Sequence, residues 1–160
     1  MPLGTPFTKI RRTKNFGGNV FLKGNDLVES KNHVNELINK FGYIEVHPYN
    51  DNEVIKGQGT IYLEMLNQIS KLEYLLVPVG GGGLLAGCSI INNSLSKKTK
   101  IIGVESKLYP SLYNVFYKKK LKCIGSTIAE GIAVKEIGSI PYNYVQDNFC
   151  LLYTSPSPRD

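Results

Sequence analysis

The segment with the most chemistry in it carries no functional side chain. Gly80-Gly81-Gly82-Gly83 follow the apolar run Tyr74–Val79 and precede a helical pattern over Leu84–Leu95. A strand that ends in glycines and opens a helix leaves successive backbone N–H groups pointing one way. With the positive end of the helix dipole they form an anion site. Glycine allows the backbone to approach phosphate oxygens closely and to use positive φ. A flexible turn is the plainer reading, but an ordinary βα turn does not require the entropy that a glycine run costs. The identity of the phosphate stays open at this level. Gly81-x-Gly83-x-x-Ala86 fits dinucleotide-binding spacing, and Glu105 ends the next strand, where a ribose-binding acid belongs. Leu84-Leu85 occupy the places of the Lys and Ser/Thr of a triphosphate-binding loop, which excludes that class.

Other candidate groups carry less. Cys88, Cys123 and Cys150 show neither CxxC nor Cys/His spacing, so neither a zinc site nor a disulfide framework is indicated, and a reduced compartment fits best. The formal charge of +6 raises a nucleic-acid reading. Its lysines are scattered (Lys97, Lys98, Lys100; Lys118 to Lys120) and read instead as a solvated face. No apolar run approaches the roughly 20 residues a membrane helix needs. Neither nucleic acid nor membrane is an expected partner, and no metal site is expected.

The elements that must position the glycines alternate. Pro6–Phe16 reads as a short helix closed by Gly17-Gly18. Asp26–Lys40 reads as a helix capped by Asn25 or Asp26 and stopped by Gly42. Tyr43–Val46 reads as a short strand. Gln58–Ser70 reads as a helix with Ile61, Met65 and Ile69 facing a sheet. Tyr74–Val79 is a strand buried on both faces, Lys100–Glu105 the next strand, and Ser111–Lys118 a short helix. Strands alternating with helices predict an α/β fold with an open, mostly parallel sheet and flanking helices. Pro48–Asp51 is the expected boundary between α/β units.

Several motifs in fixed order resemble one family. They are Met1-Pro2, Thr5-Pro6 and Lys9; Gly17-Gly18-x-Val20 and Gly24; His47-Pro48-Tyr49-Asn50-Asp51; and Val54-Ile55-x-Gly57-Gln58-Gly59-Thr60-Ile61. Val77-Pro78-Val79 with the glycines, Ile102-Gly103-Val104-Glu105 and Ala129-Glu130-Gly131-Ile132-Ala133-Val134-Lys135 follow. Together they resemble the threonine dehydratase/serine racemase group of fold-type II pyridoxal-phosphate (PLP) enzymes, over nearly all of residues 1–149. The resemblance implies a tryptophan-synthase-β-like fold of which this chain is a part: 1–48 the second part of a small α/β domain, 49–149 the first part of a large PLP-binding domain. It implies PLP as cofactor, held at its phosphate by the backbone amides of Gly80, Gly81, Gly82, Gly83 and Leu84. Glu130 and Gly131 are implied to lie beside the cofactor ring and substrate. The GQGT segment reads as a structural turn and helix start.

The same resemblance implies a parent that removes the amino group of L-threonine, or L-serine, as ammonia to leave a 2-oxo acid. The parent is implied to be a cytoplasmic homo-oligomer. Ser111 stands where racemase-like relatives carry a metal-binding Asp, and Val134 where they carry a Ser. Both favour a dehydratase, and the AEGIAVK wording resembles the biosynthetic form, which supplies isoleucine. Lys56 and Tyr62 stand where the family usually has small residues. The family's Schiff-base lysine lies in a Ser-Phe-Lys-x-Arg-Gly motif, and this sequence has no such motif. The asparagine loop for the substrate carboxylate and the Ser-Gly-Gly segment at the pyridine nitrogen are likewise missing. Catalytic residues are therefore not expected in this chain, and Met1 is expected to be internal. Cys150–Asp160 (CLLYTSPSPRD) resembles a translated sequencing adapter and is expected to be a non-native tail without stable contacts.

Overall fold

The computed structural model describes residues 1–69, 71–95, 98–146 and 151–155. The chain divides into two compact units, Met1–Glu45 and Val46–Asp160.

The first unit contains α1 (Phe7–Asn15) and α2 (Leu27–Phe41). Asp26 caps α2 by accepting from Glu29 N at 3.0 Å, and Gly42 closes it in the left-handed region at φ 68. Lys31 pairs with Glu45. The expected strand at Tyr43–Val46 does not form. Its residues find no ladder partner, and Ile44 is 92% exposed.

The second unit begins with α3 (Asn52–Gln68), capped by the Asp51 carboxylate on Glu53 N and Val54 N. Then follow β1 (Tyr74–Pro78), α4 (Gly83–Ser94), β2 (Lys100–Ser106), α5 (Ser111–Phe116), a single 3-10 turn at Glu130–Ile132, α6 (Ser139–Val145) and β3 (Leu151–Ser155). The strands pair in the order β1-β2-β3, all parallel. This is the expected α/β architecture.

Three further expectations fail in this unit. First, α3 starts well before Gln58, so Gly57-Gln58-Gly59-Thr60 lies inside a helix and is not a turn. The reason is packing. A Cβ on Gly59 would come within 2.8 Å of the Gly87 carbonyl oxygen, so α3 and α4 meet backbone to backbone. That contact outweighs the weak helix propensity of glycine. The buried face of α3 is Ile55, Gly59 and Tyr62, whereas Ile61 and Ile69 are exposed. Tyr62 is fully buried, its hydroxyl donating to Asn92 Oδ1 at 3.0 Å, and Asn92 Nδ2 donates to the Thr99 carbonyl.

Second, β1 is not buried on both faces. Leu75 and Val77 join the core with Val79, Leu85, Ile101, Leu112 and Val145, while Tyr74 and Leu76 are exposed.

Third, the expectation that Cys150–Asp160 makes no stable contact fails for Leu151–Ser155. They pair with β2 from Ile102↔Leu151 to Ser106↔Ser155. An open strand edge offers unpaired N–H and C=O groups to any extended segment, and Leu-Leu-Tyr-Thr suits a strand. Cys150 and residues 156–160 lie outside the described residues.

Candidate functional site

The glycines sit where β1 hands over to α4. Val79 N still donates to the Val104 carbonyl, and from Gly80 the chain leaves the sheet. All four glycines, Gly80 to Gly83, are buried. Their carbonyls turn toward protein. Ser111 Oγ donates to Gly80 O at 3.1 Å, Gly138 N to Gly81 O at 3.1 Å, and Ala86 N to Gly82 O at 2.9 Å. Their amides do not. Among the described residues, no hydrogen bond is donated by the backbone N–H of Gly80, Gly81, Gly82, Gly83 or Leu84. No acidic side chain stands in the first turn of α4, and its cap residue, Gly82, supplies no side-chain bond. Buried N–H groups are nearly always paired. Successive buried donors without an acceptor, at the positive end of a helix, call for an anionic acceptor. A phosphate group fits this donor set. The residues present therefore suit the phosphate of PLP.

The physical reason for glycine differs along the run. Only Gly82 has positive φ, at 89. A Cβ on Gly81 would fall inside the Tyr49 ring, and one on Gly83 would lie 3.1 Å from Tyr49 Cβ. On Gly80 it would meet Ile132 Cα and Val134 Cγ2 at 3.0 Å. Gly81 is thus required by neighbouring protein, and Gly80 and Gly83 are crowded by it, independently of the ligand side of the loop. Tyr49 is the residue that reading the sequence missed. Its ring lies against Gly81 and its Cβ and backbone against Gly83, its hydroxyl donates to the Glu136 carbonyl at 3.4 Å, and burial, then the Glu136 charge, raise its pKa. Its place within the His-Pro-Tyr-Asn-Asp motif was visible, but nothing in the spacing tied it to the glycines.

The structure brings Gly131 to the loop, its carbonyl oxygen 3.5 Å from the position of a Cβ on Gly80. Glu130 opens the adjoining 3-10 turn and is exposed. Glu105 is elsewhere engaged. Its buried carboxylate accepts from Leu112 N at 2.7 Å and Tyr113 N at 2.9 Å, with Ser111 Oγ at 3.3 Å. It anchors the start of α5, so no free ribose-binding acid remains there, which removes the main support for a dinucleotide reading. Burial raises its pKa, against the lowering effect of those hydrogen bonds. Cys88 is buried in α4 with its thiol pushed up to about 11 by burial, which makes it inert. Lys56 pairs with Glu53 at 2.6 Å on the outer face of α3. Among the described residues no helix is long and apolar enough to cross a membrane.

Comparison with known proteins identifies the family. A family model described as pyridoxal-phosphate dependent enzyme matches residues 1–154. The L-threonine ammonia-lyase of Thermotoga maritima is 38% identical over 148 residues, covering 91% of this chain and 37% of that protein. The catabolic L-threonine dehydratase of Staphylococcus aureus is 40% identical over 157 residues, covering 95% of this chain and 45% of that protein. The processed form of threonine deaminase isoform 2 from Solanum lycopersicum superposes with a TM-score of 0.86 at 34% identity, over 98% of this chain and 46% of that one. The chain spans less than half the length of each of these proteins.

Proposed function

Since the chain belongs to the family of pyridoxal-phosphate dependent enzymes, we propose that it forms the phosphate-binding part of a threonine ammonia-lyase, converting L-threonine to 2-oxobutanoate and ammonia. One observation carries the reading: the carbonyls of Gly80, Gly81 and Gly82 are bonded to protein while, among the described residues, the amides from Gly80 to Leu84 have no acceptor. Those amides hold the phosphate. Bound there, PLP supplies an electron sink for charge developing at the substrate α-carbon.

The chain's own contribution is binding and orientation. The amides are fixed by the fold before the ligand arrives, so little ordering opposes binding. The Gly131 carbonyl lies against Gly80, and Glu130 precedes it in the same 3-10 turn, so both are assigned to the cofactor and substrate side of the site. No Ser-Phe-Lys-x-Arg-Gly motif occurs in these 160 residues. The lysine that carries the cofactor and moves the proton belongs to the rest of the protein, and this chain alone is inactive. The threonine preference rests on the named activities of the relatives. The isoleucine-supplying role rests on the AEGIAVK wording, beside likeness to a catabolic enzyme.

The test has a binding arm and an activity arm. Inorganic phosphate and PLP titrated into the chain should shift the amide resonances of Gly80 to Leu84 before any others. Full-length protein should release 2-oxobutanoate from threonine faster than pyruvate from serine, and the 160-residue chain should release neither above free PLP. Phosphate shifts centred anywhere else, or turnover by the chain alone, refute the reading.

A further inference from the structure

We propose that Asn50 is a positioning residue for the glycine loop, acting through the start of α6 and needed there only as a hydrogen-bond acceptor; the inference rests on the phosphate-cradle reading above. Asn50 Oδ1 accepts from Ile140 N at 2.9 Å and from Ser139 Oγ at 3.5 Å. The N-cap residue of α6 is Gly138, which has no side chain to offer its orphan amides. The cap therefore comes from a turn 90 residues away in sequence.

The start of α6 is also what presses on the glycines. Gly138 N donates to Gly81 O at 3.1 Å. A Cβ on Gly82 would lie 2.9 Å from Pro141 Cβ and 3.0 Å from Ile137 Cδ1. On the other side Tyr49, the neighbour of Asn50, lays its ring on Gly81 and its Cβ and backbone against Gly83. One turn thus grips the loop twice, directly through Tyr49 and indirectly through Asn50 and α6. The turn is itself pinned. His47 Nδ1 accepts from Asn50 N at 2.9 Å and Tyr49 N at 3.3 Å, and Asp51 caps α3. Releasing the cap frees residues 137–141, and with them the bond that turns the Gly81 carbonyl inward. The loop amides then lose their common direction.

Among the described residues the Asn50 carboxamide donates no hydrogen bond. An aspartate has the same reach and two acceptor oxygens, so it should serve.

The experiment titrates inorganic phosphate into the unaltered chain, Asn50→Ala and Asn50→Asp, following the amide resonances of Gly80 to Leu84 and the hydrogen exchange of Ile140 N. Asn50→Ala should weaken phosphate about fivefold to tenfold, the size of one lost cap, and expose Ile140 N. Asn50→Asp should restore exchange protection and bring affinity within about threefold of the parent, since a carboxylate at a helix start is tolerated. A purely structural role would lower the melting temperature and open amides throughout the unit, whereas a positioning role weakens phosphate while exchange outside residues 137–141 and the loop stays unchanged. If Asn50→Ala does not fold, Asn50→Ser, whose hydroxyl is too short to reach Ile140 N, should show the same loss. Unaltered chain that leaves its glycine amides unmoved by phosphate overturns the cradle and this inference with it. Phosphate bound equally by parent and Asn50→Ala overturns the positioning role alone. Equal weakening in Asn50→Ala and Asn50→Asp overturns the acceptor assignment.

Discussion

The two ends of the β1–β2 pair present an anion with opposite chemistry. At the C-terminal end stand buried glycines with no charged side chain in the first turn of α4. At the N-terminal end Lys71, Lys98 and Lys100, with Tyr74 and Thr99, line a pocket of about 360 Å³. Counting charges would place the phosphate among the lysines. The physics favours the glycines. Lys71 is 80% exposed and spends its charge on Glu73 at 2.6 Å, and Lys100 lies 5.5 Å over the Tyr74 ring. Two charges about 4 Å apart in water gain only about 1 kcal/mol, salt screens them beyond about 8 Å, and each ordered lysine costs up to about 2 kcal/mol of rotamer entropy. The amides sit on buried glycines held by the fold, and a hydrogen bond to a charged group contributes about 1.5–3 kcal/mol. Preorganised neutral donors outweigh mobile charges.

The largest break in this comparison should come from Gly82→Asp. A side chain at φ 89 is strained, by about 1–2 kcal/mol, and its Cβ meets Pro141. Its carboxylate also repels the phosphate it displaces, by roughly 4 kcal/mol at 4 Å in a partly buried site. Phosphate binding should fall about a thousandfold, with a melting temperature lower by several degrees. Retention of phosphate within tenfold would move the anion site away from the loop.

Gly81→Ala should do less. Its φ is not positive, so the backbone tolerates a Cβ, but the Cβ would enter the Tyr49 ring. Overpacking of that kind costs about 1–3 kcal/mol, or roughly tenfold or more in affinity if it is borne by the loop. Adding Tyr49→Ala should return part of the lost stability, measured as a double-mutant cycle in urea. A cycle with no coupling would separate Tyr49 from the glycines.

Glu105 sharpens the comparison from behind the loop, because Ser111 links it to Gly80 O. Burial puts its folded pKa above 4.5. The folded state therefore holds the proton more tightly than the unfolded chain. The stability this contributes is complete below the unfolded pKa, about 4.3, and is lost as pH rises through the folded value. Glu105→Gln cannot titrate. The mutant should thus gain on the parent steadily as pH rises through that window, whatever fixed cost its amide incurs against the Leu112 and Tyr113 N–H groups. Urea melts from about pH 4 to 8 read the slope. A flat difference, or one of opposite sign, would mean that the hydrogen bonds outweigh burial.

Local signals made much of this legible. Asp26 and Gly42 bracket α2 because caps are chemistry of neighbouring residues, and β1, α4 and β2 follow from apolar runs and punctuation. What was missed depends on partners distant in sequence. Gly57 and Gly59 read as a turn until Gly87 is seen against Gly59. Tyr43–Val46 has strand composition but pairs with no strand among the described residues. The glycine run announced a tight strand-to-helix loop, and β1 hands over to α4 there. Its spacing could not show that Tyr49, Ile132 and Pro141 are what forbid side chains there.

The smallest expected effect tests the other end. Lys98→Gln with Lys100→Gln removes two positive charges from the pocket and should leave phosphate affinity within about twofold at 0.15 M salt. The argument is one of position. Parallel strands begin at Tyr74 and Lys100 and run away from the pocket toward the glycines, so the length of β1 separates the lysines from the loop. At about 3.3 Å per residue that length exceeds the roughly 8 Å over which exposed charges act at this salt. The same variant at about 0.01 M salt, where screening reaches roughly 30 Å, should weaken binding slightly more, because only the long-range field of the chain is being changed. A tenfold loss at 0.15 M would say that the lysines hold the anion. In that case phosphate shifts at Tyr74 and Thr99, not at Gly80 to Leu84, would accompany it.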